Sequence, residues 1–177
     1  GLSATEIGLG FTISAIIGTL TRLFTGNYLN KAGKIHNPFV ISSLISIAAG
    51  FFLIISKDTY FYIIGQALIG AAAGIYWPTA EYAVPYFCHP IDTRKAYALV
   101  RSSEAFGIFL GVFIGGFMNN FIYLKSIFIN DIICMFTIIF LILRNKYSIK
   151  KIIEKSRNKA LDPIKFNQKS WNKNTIT

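Results

Sequence analysis

The side chains able to carry chemistry are few and scattered in this chain. Nucleophilic catalysis needs a nucleophile, a base and an orienting group within reach of one another. No Ser/His/Asp or Cys/His arrangement is visible, and His36 and His89 both fall in expected loops. Cys88 and Cys134 are far apart, without a CxxC pair or a histidine at metal spacing, so neither a metal site nor a disulfide is expected. No G-x-x-x-x-G-K-[ST] loop is present to cradle a nucleotide. The sequence reads as non-enzymatic and without a cofactor. Its charges instead interrupt long apolar runs, where an ionised group is costly and often functional. Arg22 either snorkels to an interface or serves a function. Glu81 either faces a cavity or pairs with Arg101 across adjacent helix ends. Glu104, three residues after Arg101, is expected to form a local ion pair with it. Asp131 is expected to be structural or interfacial. Gln66, Tyr76 and Trp77 lie on the same run as Glu81, where an aromatic beside a proline either contacts a solute or packs at a bend.

The elements that position these groups follow from composition. The chain is 53% hydrophobic and 15% charged, with a mean hydropathy of +0.50. Soluble domains carry about 25% charged residues, and a water-soluble protein this apolar would expose large adhesive patches. Lipid is the expected solvent. The net charge of +10 is uneven: from Arg144 onward, ten Lys and Arg face only Glu154 and Asp162. Basic clusters do mark nucleic-acid binders, but this one directly follows a hydrophobic span and reads as a topology signal. A bilayer, not a nucleic acid, is the expected partner. The chain starts with Gly1 and shows no basic segment ahead of a cleavable apolar core, so it reads as a fragment.

About 20 apolar residues cross a hydrocarbon core, and five runs of that kind are expected, at about 7–29, 38–56, 60–83, 102–119 and 126–143. Residues 1–145 are thus an all-α, multi-pass helical bundle, followed by a basic tail or linker at 146–177. Ser3-x-x-Glu6 has the spacing of a capping box that starts a helix near Ala4. Small residues recur four apart at Ser14 and Gly18, at Ser42, Ser46 and Gly50, and at Gly70 and Gly74 with Ala67 and Ala71 beside them. In lipid such stripes allow close helix approach. Gly107, Gly111 and Gly115, with Gly116, form the longest glycine stripe and predict a helix face pressed against a neighbour. Pro78 is expected to kink the third span, and Pro85 and Pro90 to bracket its exit. Ile149, Ile152 and Ile153 with Lys150, Lys151 and Lys155 suit a short surface helix, ended by Pro163 ahead of a disordered remainder.

Between the first two spans, Gly26-x-x-x-Asn30-Lys31-x-Gly33-Lys34 predicts a tight basic turn whose glycines allow positive φ or close backbone approach. Cations concentrate on the cytoplasmic side of membrane proteins. With five spans, the segments 30–36 and 88–101 and the tail share one side and hold all the Lys and Arg except Arg22, Lys57 and Lys125. That side is expected to be cytoplasmic, with residue 1 outside.

These residues resemble the amino-terminal half of a major facilitator superfamily transporter without its first helix. Gly26-x-x-x-Asn30-Lys31-x-Gly33-Lys34 resembles the family's loop motif G-x-x-x-D-R-x-G-R/K. Gly107-x-x-x-Gly111-x-x-x-Gly115-Gly116 resembles the fifth-helix G-x-x-x-G-P-x-x-G-G motif of antiporters, and Gly65 to Gly70 through Trp77-Pro78 resembles the fourth helix. Asn30 replaces the motif's acid, Val112 its proline, and Gln66 the arginine common in drug–proton antiporters. Those departures weaken an assignment to proton-coupled drug export and leave the fold untouched.

The resemblance implies secondary transport of a small-molecule substrate by alternating access in a cell membrane. It implies a gating role for the loop of Gly26, Asn30, Lys31, Gly33 and Lys34, and packing by Gly107, Gly111, Gly115 and Gly116. Arg22, Gln66, Trp77 and Glu81 are the candidates for cavity or coupling roles. It also implies a second half, on the same chain or a partner, without which the five spans should not transport. The alternative is a non-transporting scaffold or partner-binding subunit whose glycine faces serve oligomerisation.

Overall fold

The computed structural model describes residues 2–32, 34–87, 92–121, 126–149 and 151–152. Among them the regular structure is helical: α1 (Ala4–Ala32), α2 (His36–Ile55), α3 (Thr59–Phe87), α4 (Thr93–Phe121) and α5 (Ser126–Arg144). All five are long and apolar enough to cross a membrane. Many large apolar side chains face outward, among them Phe24, Leu23 and Val112. In a bilayer that surface is solvated rather than adhesive.

The helices stay helical in an apolar medium because their hydroxyls close on themselves. Thr12, Thr19, Thr25, Ser43 and Thr79 each donate to the carbonyl four residues earlier, at 2.7–3.0 Å. No hydroxyl proton among these is left unsatisfied in hydrocarbon, where such a group is costly.

Small residues set the packing. α1 and α3 run parallel, with contacts advancing in step from Glu6–Thr59 to Ile7–Tyr62 to Thr21–Gly74. A Cβ added at Gly18 would lie 3.0 Å from the Gly70 carbonyl oxygen, and one at Gly70 would lie 2.8 Å from both Cα and C of Ser14. The expected stripes Ser14–Gly18 and Gly70–Gly74 are therefore one seam, backbone against backbone. α2 runs antiparallel to α3: Phe52 stacks on Phe61 at one end, and Phe39 meets Tyr76 edge-on at the other. Its other stripe faces α5, where Ser46 Oγ donates to Asp131 at 3.3 Å and a Cβ on Gly50 would meet Ile132 at 2.8 Å. Asp131 thus serves an interhelical contact, as expected.

Three expectations about helix ends are corrected. α1 continues past Leu29 to Ala32, so Gly26, Asn30 and Lys31 lie on helix rather than in a loop. α3 runs unbroken through Pro78 and Pro85, so Pro85 is inside the helix rather than at its exit. α4 begins at Thr93, placing Arg94, Lys95 and Arg101 on helical turns; Asp92 Oδ1 accepts from the Arg94 N–H at 3.1 Å. In α1 and α4 the polar residues mark the end of the apolar run, while backbone hydrogen bonding carries the helix on beyond it.

The chain divides into two compact units, Gly1–Leu143 and Arg144–Thr177. In the second, residues 146–149 and 151–152 are helical, with the Ile149 N–H donating to the Asn145 carbonyl at 2.9 Å. Cys88, His89, Pro90, Lys125, Lys150, Ile153, Glu154, Lys155, Pro163 and the rest of the tail lie outside the described residues.

Candidate functional site

The α1–α2 junction is anchored by two apolar side chains. Leu29 and Ile35, one on each side of the junction, are each 2% exposed. Asn30, Lys31 and Lys34 face outward around them, and Gly33 lies outside the described residues. Gly26 is helical, without positive φ, and a Cβ there would meet nothing within 4 Å. The tight-turn reading of Gly26 is thus corrected: in this chain nothing at that position requires a glycine. The Nδ1 of His36 lies 3.2 Å from Asn37 Oδ1, one of the two polar side chains that follow Ile35.

Arg22 is exposed on α1 and forms no ion pair among the described residues. Its neighbour Thr21 turns inward, donating to the Ile17 carbonyl at 2.9 Å and abutting Gly74. Gln66 is buried in the α1–α3 seam, where its Cγ would lie 3.1 Å from a Cβ at Gly10. Trp77 packs edge-on to Tyr76, at 5.6 Å between ring centroids, and Tyr76 packs on Phe39. These aromatics pack α2 against α3 beside Pro78, which is the packing alternative. Directly after Pro78, Thr79 is fully buried.

Glu81 takes the pairing alternative. Arg101 reaches it across the α3–α4 contact and also bonds Glu104 at 2.7 Å, so one guanidinium ties two carboxylates. Tyr97 adds a bond to the Glu81 carbonyl at 3.1 Å. This cluster, with buried Ala96, is where α4 is held. From Ala105 to Ile114 every residue of α4 is exposed. A Cβ added at Gly107, Gly111 or Gly116 would meet nothing within 4 Å, and one at Gly115 would only touch Ile127 at 3.7 Å. The expected packing by these four glycines is therefore absent within the described chain: the face exists, but its neighbour does not.

Sequence reasoning missed one clamp. Besides closing the capping box with Ser3 (Ser3 N–H to Glu6 Oε2, 2.7 Å), Glu6 accepts from the Thr59 hydroxyl, and Tyr62 donates to the Ile7 carbonyl at 3.4 Å. The box was visible in the spacing, but its link to α3 depends on register, which spacing does not carry. Among the described residues no cluster of His, Cys, Asp or Glu could hold a metal ion.

A family model described as the Major Facilitator Superfamily matches residues 1–173. No curated protein and no solved structure matches the chain.

Proposed function

The chain belongs to the Major Facilitator Superfamily, and on that premise we propose that it is part of a secondary transporter moving a small solute through a cell membrane by alternating access. In that mechanism two helical halves rock about a site near the midplane. The observation that carries the reading is the open face of α4. It is apolar, striped with glycine and exposed from Ala105 to Ile114, which is the form of a surface completed by a second half. Gly107, Gly111, Gly115 and Gly116 would pack there.

The asymmetry of the cations supports an orientation with the α1–α2 junction, the start of α4 and the tail in the cytoplasm. Gly26, Asn30, Lys31, Gly33 and Lys34 then form the cytoplasmic latch between the halves. Asn30 offers this latch a hydrogen bond but no charge. Of the cavity candidates, Arg22 is the one free to meet an anionic group. Glu81 acts by positioning α4 through Arg101, while Gln66 and Trp77 act by shaping the helices that border the solute path.

The same open face supports a second reading, a partner-binding subunit without transport. Solute uptake into proteoliposomes separates the two, comparing this chain alone with the chain extended by its native downstream sequence. A panel of amphiphilic drugs, sugars and organic anions serves as probe. Gradient-dependent flux only from the longer form, lost on Gly33→Trp, is the expected result. No flux from either, with the shorter chain forming a defined oligomer, overturns the transport reading.

A further inference from the structure

On the outside of the bundle, Thr21, Phe24, Thr25 and Tyr28 of α1, Pro38 and Ile41 of α2 and Ile75 of α3 line an open groove of about 240 Å³. Its lining is almost wholly apolar although two of the seven residues are threonines. The cause is local: Thr21 and Thr25 donate their hydroxyls to the carbonyls of Ile17 and Thr21, at 2.9 and 2.8 Å. Their methyl groups are left to face the groove. Thr25 and Pro38 form a buried floor, and Phe24, Tyr28 and Ile41 are exposed walls. In a bilayer, an apolar cleft on the outside of a bundle takes up an acyl chain where no helix covers it.

The mouth of the groove decides which lipid that is. Along α1 the lining positions 21, 25 and 28 continue at the next turn with Lys31, about 4.5 Å further along the axis from Tyr28. Lys34 follows in the junction, and both lysines are exposed. No Asp or Glu occurs between Glu6 and Asp58, so neither helix that frames the mouth brings a carboxylate to it. On the third helix, Glu81 is already held by Arg101. Tyr28 lies between Thr25 of the apolar floor and Lys31 along α1, and an amphipathic ring in that place suits the boundary between acyl chain and headgroup.

We propose that this groove is a binding site for one acyl chain of an anionic phospholipid, whose phosphate is held by Lys31 and Lys34 at the α1–α2 junction. The site draws its lipid from the leaflet bordering that junction. It depends on the helices spanning a bilayer and not on transport, so its test and the uptake test fail separately.

A tryptophan in the groove wall reports on the lipid beside it. In a chain carrying Trp77→Phe and Trp171→Phe, Phe24→Trp places the reporter in the groove and Phe51→Trp places a control at the far end of the bundle. Brominated phosphatidylglycerol and brominated phosphatidylcholine then quench in mixed bilayers. The groove reporter is expected to prefer phosphatidylglycerol by about fivefold for each lysine that meets the phosphate. Lys31→Gln with Lys34→Gln should bring the ratio to one, as should high salt on the chain with both lysines, a measurement that needs no further variant. Ile41→Phe, which narrows the groove, should weaken quenching by both lipids. Equal quenching by the two lipids at Phe24→Trp overturns the proposal. So does a preference that survives removal of both lysines, or one equally strong at the control.

Discussion

The α1–α3 seam makes a quantitative claim about two glycines that look alike in sequence. Gly70→Ala places a Cβ 2.8 Å from the backbone Cα and C of Ser14, and nearer still to its carbonyl oxygen. Ordinary carbon contacts lie at about 3.5–4.0 Å, so α1 must withdraw by roughly 0.7–1.2 Å. The obstructing atoms are backbone and have no rotamer into which to move. Overpacking of this kind costs about 1–3 kcal/mol. Alanine recovers about 0.5–1 kcal/mol through its better helix propensity. The net expectation is a destabilisation of about 1–2 kcal/mol, or about 5–30-fold in the unfolding equilibrium.

Gly111→Ala meets nothing within 4 Å and keeps only the propensity gain, so it should be neutral or stabilising by up to about 1 kcal/mol. Titrating the two variants with SDS in mixed micelles, followed by far-ultraviolet circular dichroism, measures the difference. The Gly70→Ala transition should come at lower SDS than that of the unsubstituted chain, and the Gly111→Ala transition at the same SDS or higher. A Gly70→Ala transition at or above that of Gly111→Ala would refute the seam.

Further outcomes follow from the other contacts. Ser46→Ala removes the donor to Asp131, and interhelical hydrogen bonds in membranes average about 0.6 kcal/mol; the same titration should show a shift of that size, while Asp131→Asn keeps an acceptor and shifts less. Arg101→Gln leaves Glu81 and Glu104 facing each other without their shared cation and should speed amide exchange at residues 97–104, where α4 is held. Glu104→Gln should do so far less, because the Arg101–Glu81 tie between the helices remains. Ser3→Ala loses the N-terminal cap, which costs about 1 kcal/mol, and the expected fraying appears as faster exchange in the first turn of α1.

What the sequence made legible was whatever depends on spacing along one helix. The stripes Ser14–Gly18, Gly70–Gly74 and Ser46–Gly50 all pack closely against neighbours. Ser3–Glu6 and Arg101–Glu104 bond at the spacing expected of them. Helix ends were not legible. A 29-residue helix such as α1 is about 43 Å long, against a hydrocarbon core of about 30 Å. Its polar last turn therefore signals the water boundary while the helix continues. Register between helices was equally hidden, and so the bond from Thr59 to Glu6 had no sequence signature.

The glycine stripe of α4 shows why packing motifs carry only half of their meaning. A run of glycines records that some backbone approaches closely, but not which one. Within the described helices the other small-residue faces already have partners: α1 closes on α3, and the stripe of α2 closes on α5 through Ser46 and Gly50. None of these stripes meets Gly107 or Gly111. Helix association in lipid has little water exclusion to drive it and depends on close contact, so an unmatched stripe adds nothing to the stability of the bundle that bears it. Gly107 and Gly111 instead carry the propensity cost of glycine without a contact to offset it. Such a helix is suited to assembly rather than to the bundle itself: the Arg101 tie holds it in place while the stretch from Ala105 to Ile114 stays open to a partner.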